Sequence, residues 1–141
     1  MKYLVDTCVL SELRKRKPDA KVLRWLKSNF KDNLFYISAI TVGELKRGIE
    51  HLDDSDPRKT KLNAWLDSEI LDQYRESVVP YGLEAAMKWG GVMGAAGRSG
   101  KTRPELDAQI AASALVHDMV VVTRNVDDMA YTGVRVVNPF E

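Results

Sequence analysis

Apolar positions along the chain fall into two kinds of run. Tyr3-Leu4-Val5, Leu34-Phe35-Tyr36-Ile37, Val78-Val79 and Val120-Val121-Val122-Thr123 are short and lack alternation, and Val134-Arg135-Val136-Val137 is a fifth apolar stretch near the end. Runs of this kind read as strands covered on both faces. Between them, apolar residues recur at helical spacing. Val9, Leu10 and Leu13 mark a helix directly after Asp6 and Thr7. Val22, Leu23, Trp25, Leu26 and Phe30 mark a second, after a basic linker containing Pro18. Ser38 is a good N-cap for a third over about 39–52, with Val42, Leu45, Ile49 and Leu52 as its buried stripe. Asp53 to Pro57 breaks it, and Leu62, Trp65, Leu66, Ile70 and Tyr74 mark a fourth. Pro80 closes the short Val78-Val79 strand; the segment 82–97 is helical but rich in small residues. Pro104 opens a helix over 104–117, with Leu106, Ile110, Ala114 and Leu115 inward. Strands alternating with helices predict right-handed crossovers and a three-layer α/β fold, its mostly parallel central sheet flanked by helices.

The 141 residues, 45% hydrophobic and 29% charged, suit one soluble globular domain spanning 1–141. A single cysteine, Cys8, makes no intramolecular disulfide, and no apolar run approaches the ~18 residues of a membrane span. With no leader pattern at the N-terminus, the expected location is the cytoplasm, away from membranes. A net charge of +1 leaves the whole-molecule field silent about nucleic acid. Basic residues cluster at Arg14-Lys15-Arg16-Lys17, at Lys46-Arg47, and at Arg98 with Lys101 and Arg103, as solvated helix ends and loops commonly do. No repeat or low-complexity segment is present.

The acids change the picture. Asp6 falls where the first strand stops, which is where open α/β sheets hold their ligands. Glu44 lies in the first half of the third helix, Asp107 in the first turn of the helix opened by Pro104, and Asp127-Asp128 just beyond the turn Thr123-Arg124-Asn125. In a parallel sheet, strand ends and the starts of the following helices share one edge, so all these acids belong together. Carboxylates gathered at one place repel one another and raise each other's pKa. A hard divalent cation, which takes oxygen ligands, relieves that repulsion. Singly, each acid has a plainer role: Thr41-x-x-Glu44 has capping-box spacing, Asp107 suits a helix dipole, and Asp127 and Asp128 suit a loop. Their order along the chain favours a shared site.

The chain resembles the PIN-domain ribonucleases, most closely the VapC toxins of bacterial toxin–antitoxin pairs, over essentially its whole length. The opening Tyr3-Leu4-Val5-Asp6-Thr7-Cys8-Val9-Leu10-Ser11-Glu12 is similar to the family's first motif, with Cys8 where Asn is usual. Ser38 to Ile49 resembles the second motif, Asp107 to Ala112 the third, and Thr123-Arg124-Asn125-Val126-Asp127-Asp128-Met129 the fourth, with Met129 in place of an aromatic. The ending Val134 to Phe140 also matches. The resemblance implies a PIN-like fold and an Mg²⁺- or Mn²⁺-dependent endoribonuclease acting on RNA. It also implies a homodimer inhibited by a small cognate antitoxin. Asp6, Glu44, Asp107 and Asp128 are then the metal-binding and catalytic residues. Thr7, Thr123 and Asn125 orient ligands or water, and Arg14, Lys46, Arg47 and Arg124 are candidates for RNA phosphate contacts. Surplus apolar surface on the helices 9–15 and 22–30 suits the dimer interface. His51 and His117 lie outside every motif.

Other readings are weaker on the residues themselves. Gly100-Lys101-Thr102 suggests a P-loop, but Ala95 stands where its first glycine belongs, and a helix precedes the segment instead of a strand. A phosphatase using Asp6 as nucleophile wants a second Asp two residues on, where Cys8 stands. A non-catalytic or phosphotransfer α/β domain with a single acidic metal pocket is the alternative function on the same fold.

Overall fold

The computed structural model describes residues 1–100 and 103–141; Lys101 and Thr102, with their parts in the basic cluster and the P-loop reading, lie outside the described residues. β1 (Lys2–Val5) is the central strand. On one side it carries β2 (Leu34–Ser38) and then β3 (Val78–Val79), on the other β4 (Val120–Val122) and then β5 (Val136–Val137). Tyr3 lies opposite Phe35 and Val120, Ile37 opposite Val78, and Val122 opposite Val137; every pairing is parallel. The sheet is therefore wholly parallel, beyond the mostly parallel sheet expected.

Parallel neighbours require crossovers, and helices supply them. α1 (Thr7–Leu13) and α2 (Ala20–Asn29) join β1 to β2. α3 (Ala39–Glu50) and α4 (Pro57–Trp65), the latter continued by a π-helical turn at Leu66–Leu71, join β2 to β3. α5 (Leu83–Arg98) and α6 (Glu105–Val116) join β3 to β4, and α7 (Val126–Ala130) joins β4 to β5. Among the described residues, no helix is long and apolar enough to cross a membrane.

The two sheet faces explain the unbroken apolar strands. Tyr3, Val5, Val120 and Val122 point into one core with Val9, Leu10 and Leu45. Leu4 and Val121 point into the other with Ile110, Ala111 and Met129. Successive strand residues face opposite ways, so a strand buried on both faces has no polar position to alternate with.

Three expectations are corrected. α3 ends at Glu50, so its buried side is Thr41, Leu45 and Ile49, and Leu52 falls past its end. In α6, Ala108 and every residue from Ile110 to Ala114 are buried, while Leu106 and Leu115 are only partly covered. With α5 packed along it and the sheet beneath, α6 is enclosed nearly all round, and small side chains let it fit. β5 is confined to Val136–Val137, with Val134 buried ahead of it. The apolar surplus expected on the helices 9–15 and 22–30 is found on the second of them and not on the first. Val9 and Leu10 of α1 are consumed by the core, and the exposed large residues are Leu23 of α2, Phe30 at its C-cap, Met1, Leu34, and Leu83 and Met87 of α5.

Leu4 is fully buried at the middle of the sheet. Leu4→Ala is expected to lower unfolding free energy by about 2–5 kcal/mol in urea denaturation, the range for a large-to-small change that leaves a cavity.

Candidate active site

Asp6 is where β1 stops being a strand. Its backbone N–H still donates to Val122 O at 3.0 Å, but its side chain turns to cap α1, Oδ1 accepting from Thr7 N at 2.8 Å. Oδ2 accepts from Thr123 Oγ1 at 2.7 Å and contacts Cys8 Sγ at 3.7 Å. The carboxylate is only 2% exposed. Burial pushes its pKa up, and the hydrogen bonds from Thr123, Thr7 and Cys8 pull the other way.

Glu44 comes from the neighbouring crossover. Ser38 caps α3, its Oγ accepting from Ile40 N at 3.0 Å. The Thr41-x-x-Glu44 spacing is therefore no capping box. It places Thr41 and Glu44 on one face of α3 within the helix, one turn apart. Thr41 is fully buried, and Thr7 Oγ1 stands 3.3 Å from Thr41 Oγ1 and donates to Glu44 Oε1 at 3.1 Å. Desolvation raises the Glu44 pKa, Asp6 adds to the rise, and the Thr7 hydrogen bond and Arg47 oppose it.

Asp107 lies in the first turn of α6, half-buried. Its carboxyl pKa is pushed up to about 6, first by desolvation and then by repulsion from Asp6, Asp128 and Glu44. Asp6, Glu44 and Asp128, each delivered by a different element, thus all lie close enough to act on Asp107. Asp127 has no such part: it is exposed, whereas Asp128 is half-buried and the next residue, Met129, is fully buried. The turn that aims them is tied to Asp6. Thr123 Oγ1, while donating to Asp6, accepts from Asn125 N at 2.9 Å, and Asn125 O accepts from Asp128 N at 3.2 Å.

Of the basic residues expected near phosphate, Arg47 is exposed and close enough to act on Glu44. The other three are engaged. The Arg14 guanidinium lies 5.9 Å from the Trp65 ring centroid, and Lys46 Nζ is 3.0 Å from both Asn63 Oδ1 and Glu50 Oε1. Arg124 stacks 3.8 Å above Phe140 and reaches Glu12 Oε1 at 3.6 Å. Sequence alone does not mark Glu12, Thr41 and Cys8 as residues of the site. Thr41 stands one helical turn before Glu44, which was the available signal. Glu12 is buried and joins α1 to the start of α2 by accepting from Asp19 N at 3.0 Å.

The donor set is all oxygen. Burial and the Asp6 charge push the Cys8 thiol pKa up. Among the described residues, no three Asp, Glu, His or Cys side chains close around an ion by themselves. Mg²⁺ is commonly held through one or two carboxylates with several waters retained, and this open cluster fits such a hydrated hard cation.

A strand–Asp, helix–Glu, helix–Asp, helix–Asp cluster on an all-parallel sheet defines a class of acidic-site α/β proteins. The PIN domain family profile matches residues 3–133. The chain is 36% identical over 138 residues to "VapC ribonuclease Y4jK" of Sinorhizobium fredii, covering 98% of this chain and 97% of that protein. It is 32% identical over 137 residues to "Toxin FitB" of Neisseria gonorrhoeae, covering 97% of each. The crystal structure of FitAcB from Neisseria gonorrhoeae superposes with a TM-score of 0.86 at 32% identity, covering 99% of both chains. The chain belongs to the PIN-domain family, among its VapC-type members.

The raised pKa values set a pH dependence. A carboxyl whose folded pKa exceeds its unfolded value binds more protons when folded, so stability falls as pH rises through that interval. For Asp107 the interval runs from 3.8 to about 6. In chelator, the melting temperature is expected to decline across it and stay depressed above it. Asp107→Asn is expected to flatten the decline and raise the neutral-pH melting temperature by at least about 2 °C, the shift that ~1 kcal/mol gives a chain near this length. A melting temperature that rises through this window, or a destabilised variant, contradicts the repulsion.

Proposed function

We propose that this protein is a divalent-metal-dependent endoribonuclease, acting in the cytoplasm as the toxin of a type II toxin–antitoxin pair. The observation that carries this reading is the convergence of Asp6, Glu44, Asp107 and Asp128 at the carboxyl edge of the sheet in a PIN-domain chain. The relatives named as a ribonuclease and as a toxin support the activity and the biological role.

The four acids hold Mg²⁺ or Mn²⁺ directly or through water. The bound ion supplies Lewis-acid charge at the phosphodiester and makes water a stronger nucleophile at neutral pH. The chain's own part is positional. Thr123 and Thr7 N fix both oxygens of Asp6, so that its orientation precedes metal binding. Thr7 Oγ1 sets Glu44, and the Thr123–Asn125 turn sets Asp128. The substrate is RNA in single-stranded or loop form, because side chains cannot read the deep, narrow major groove of an A-form helix. A cognate antitoxin inhibits by placing a cationic side chain among the carboxylates, where a guanidinium fits as a bidentate partner. The exposed Leu23, Phe30, Leu34 and Met1 suit a homodimer contact, and sedimentation at micromolar concentration is expected to give the dimer mass.

Cleavage of single-stranded RNA is expected to require Mg²⁺ or Mn²⁺, to stop in chelator, and to be abolished by Asp6→Asn; chelator-resistant cleavage would remove the metal mechanism. The fourth acid is decided separately. Asp128→Asn is expected to slow cleavage at least about tenfold, equivalent to ~1.4 kcal/mol of transition-state stabilisation. Asp127→Asn is expected to stay within about threefold of wild type, or roughly 0.6 kcal/mol. Reversed effects would shift the assignment by one residue.

A further inference from the structure

A second feature adjoins the acids without belonging to them. Arg103 lies just ahead of α6, four residues before Asp107, and Tyr131 caps the end of α7, three residues after Asp128. The Arg103 guanidinium carbon sits 4.3 Å from the Tyr131 ring centroid. Its Nε is buried and makes no hydrogen bond among the described residues. Tyr131 Oη is anchored on Met93 Sδ at 3.6 Å. Beside the pair opens a cavity of about 500 Å³ along α5, whose walls include Met87, Gly91, Val92, Ala95, Arg103 and Tyr131. Arg103 and Tyr131 flank the two short segments that carry Asp107 and Asp128, so the cavity lies beside the elements that deliver two of the acids.

The chemistry of these walls is specific. A guanidinium stacked on an aromatic ring presents a flat, polarizable, cationic platform. Small residues and a methionine form the opposite wall, and Lys88 and Ser99 also line the cavity. Unstacked bases of single-stranded RNA are held by aromatic rings and guanidinium planes. An acidic cluster repels the phosphates on either side of the scissile bond, and the cations of Arg103 and Lys88 offset that repulsion. We infer that this cavity receives an unstacked nucleobase of the RNA next to the scissile phosphate, with Arg103 and Tyr131 as substrate-positioning residues. The inference rests on the nuclease reading for its substrate class, but its binding component is measured without cleavage.

The test uses the full chain and a fluorescein-labelled pool of random-sequence single-stranded RNA. Binding is followed by anisotropy in chelator, and cleavage with Mn²⁺ by sequencing the cut ends. Arg103→Ala and Tyr131→Ala are each expected to weaken binding and raise KM about tenfold, the size of losing one base stack, and to flatten the base preference at one position beside the cut. kcat is expected to stay within about threefold, well short of the ~10²-fold or greater losses that follow removal of a group acting on the transition state. Tyr131→Phe keeps the ring and should behave as wild type. Ala95→Leu fills the cavity from an exposed helical position and should reproduce the binding loss even if a platform variant folds poorly. The Mn²⁺-induced rise in melting temperature should persist in all four variants, since the acids are untouched. If the wild type cuts and the variants keep its KM and base preference, the cavity assignment fails and the nuclease reading stands. If the wild type binds the pool without cutting while Arg103→Ala and Ala95→Leu weaken binding, the cavity assignment stands and the nuclease reading fails. Absence of both binding and cleavage removes both. Variants that lose only inhibition by the co-expressed antitoxin, with RNA kinetics unchanged, make the cavity a protein-docking groove and overturn the assignment.

Discussion

The hydrogen bond from Thr123 Oγ1 to Asp6 Oδ2, 2.7 Å long and fully buried, is the contact on which the site depends. It joins the ends of two adjacent strands, β1 and β4, that lie more than a hundred residues apart in the chain. A buried carboxylate without partners is costly and would protonate or turn away. Here both of its oxygens accept from protein donors, so it is held in one orientation. Through the same Thr123 hydroxyl the turn at Asn125 is fixed, and through that turn Asp128. Removing this one hydroxyl would disturb two of the four acids together.

The rest of the cluster is assembled against its own electrostatics. Asp6, Glu44 and Asp107 all have raised pKa values, and desolvation is the leading cause for each. The fold tolerates this because each acid hangs on an element secured elsewhere. Asp6 hangs on the central strand, Glu44 on α3 beside Leu45, Asp107 on the nearly enclosed α6, and Asp128 on α7 beside the buried Met129. Packing free energy supplied by both cores holds like charges together, which is the usual relation between stability and an acidic functional site. A divalent cation among these acids would reverse the sign of the interaction.

Surface cations have neighbours within the fold that charge along the chain does not specify. Arg14, Lys46 and Arg124 each found a neighbour within the fold, an indole, an amide with a carboxylate, and a phenyl ring with a carboxylate. Arg103 stood in the sequence only as one member of a basic cluster. Its stacking on Tyr131 depends on bringing together the start of α6 and the end of α7, which no local pattern encodes.

Local pattern was sufficient for most of the architecture. Unbroken apolar runs marked the strands because a strand buried on both faces has no solvent side, and Ser38 and Pro104 marked helix starts through backbone chemistry that reaches only a few residues. The same reach explains where local pattern stopped. It put Leu52 inside α3 and gave α6 one inward stripe, because helix ends and helix enclosure are set by neighbours distant in sequence. For the site, the chain determined which carboxylates fall at strand ends and helix starts, since that is a matter of position along each element. Tertiary structure decided the rest: that Thr41 faces Thr7 instead of capping a helix, that Thr123 serves Asp6 and Asn125 at once, and that Asp127 is exposed while Asp128 is half-buried. Those choices are hydrogen-bond and burial geometry between segments, and such geometry exists only after the sheet has brought the segments together.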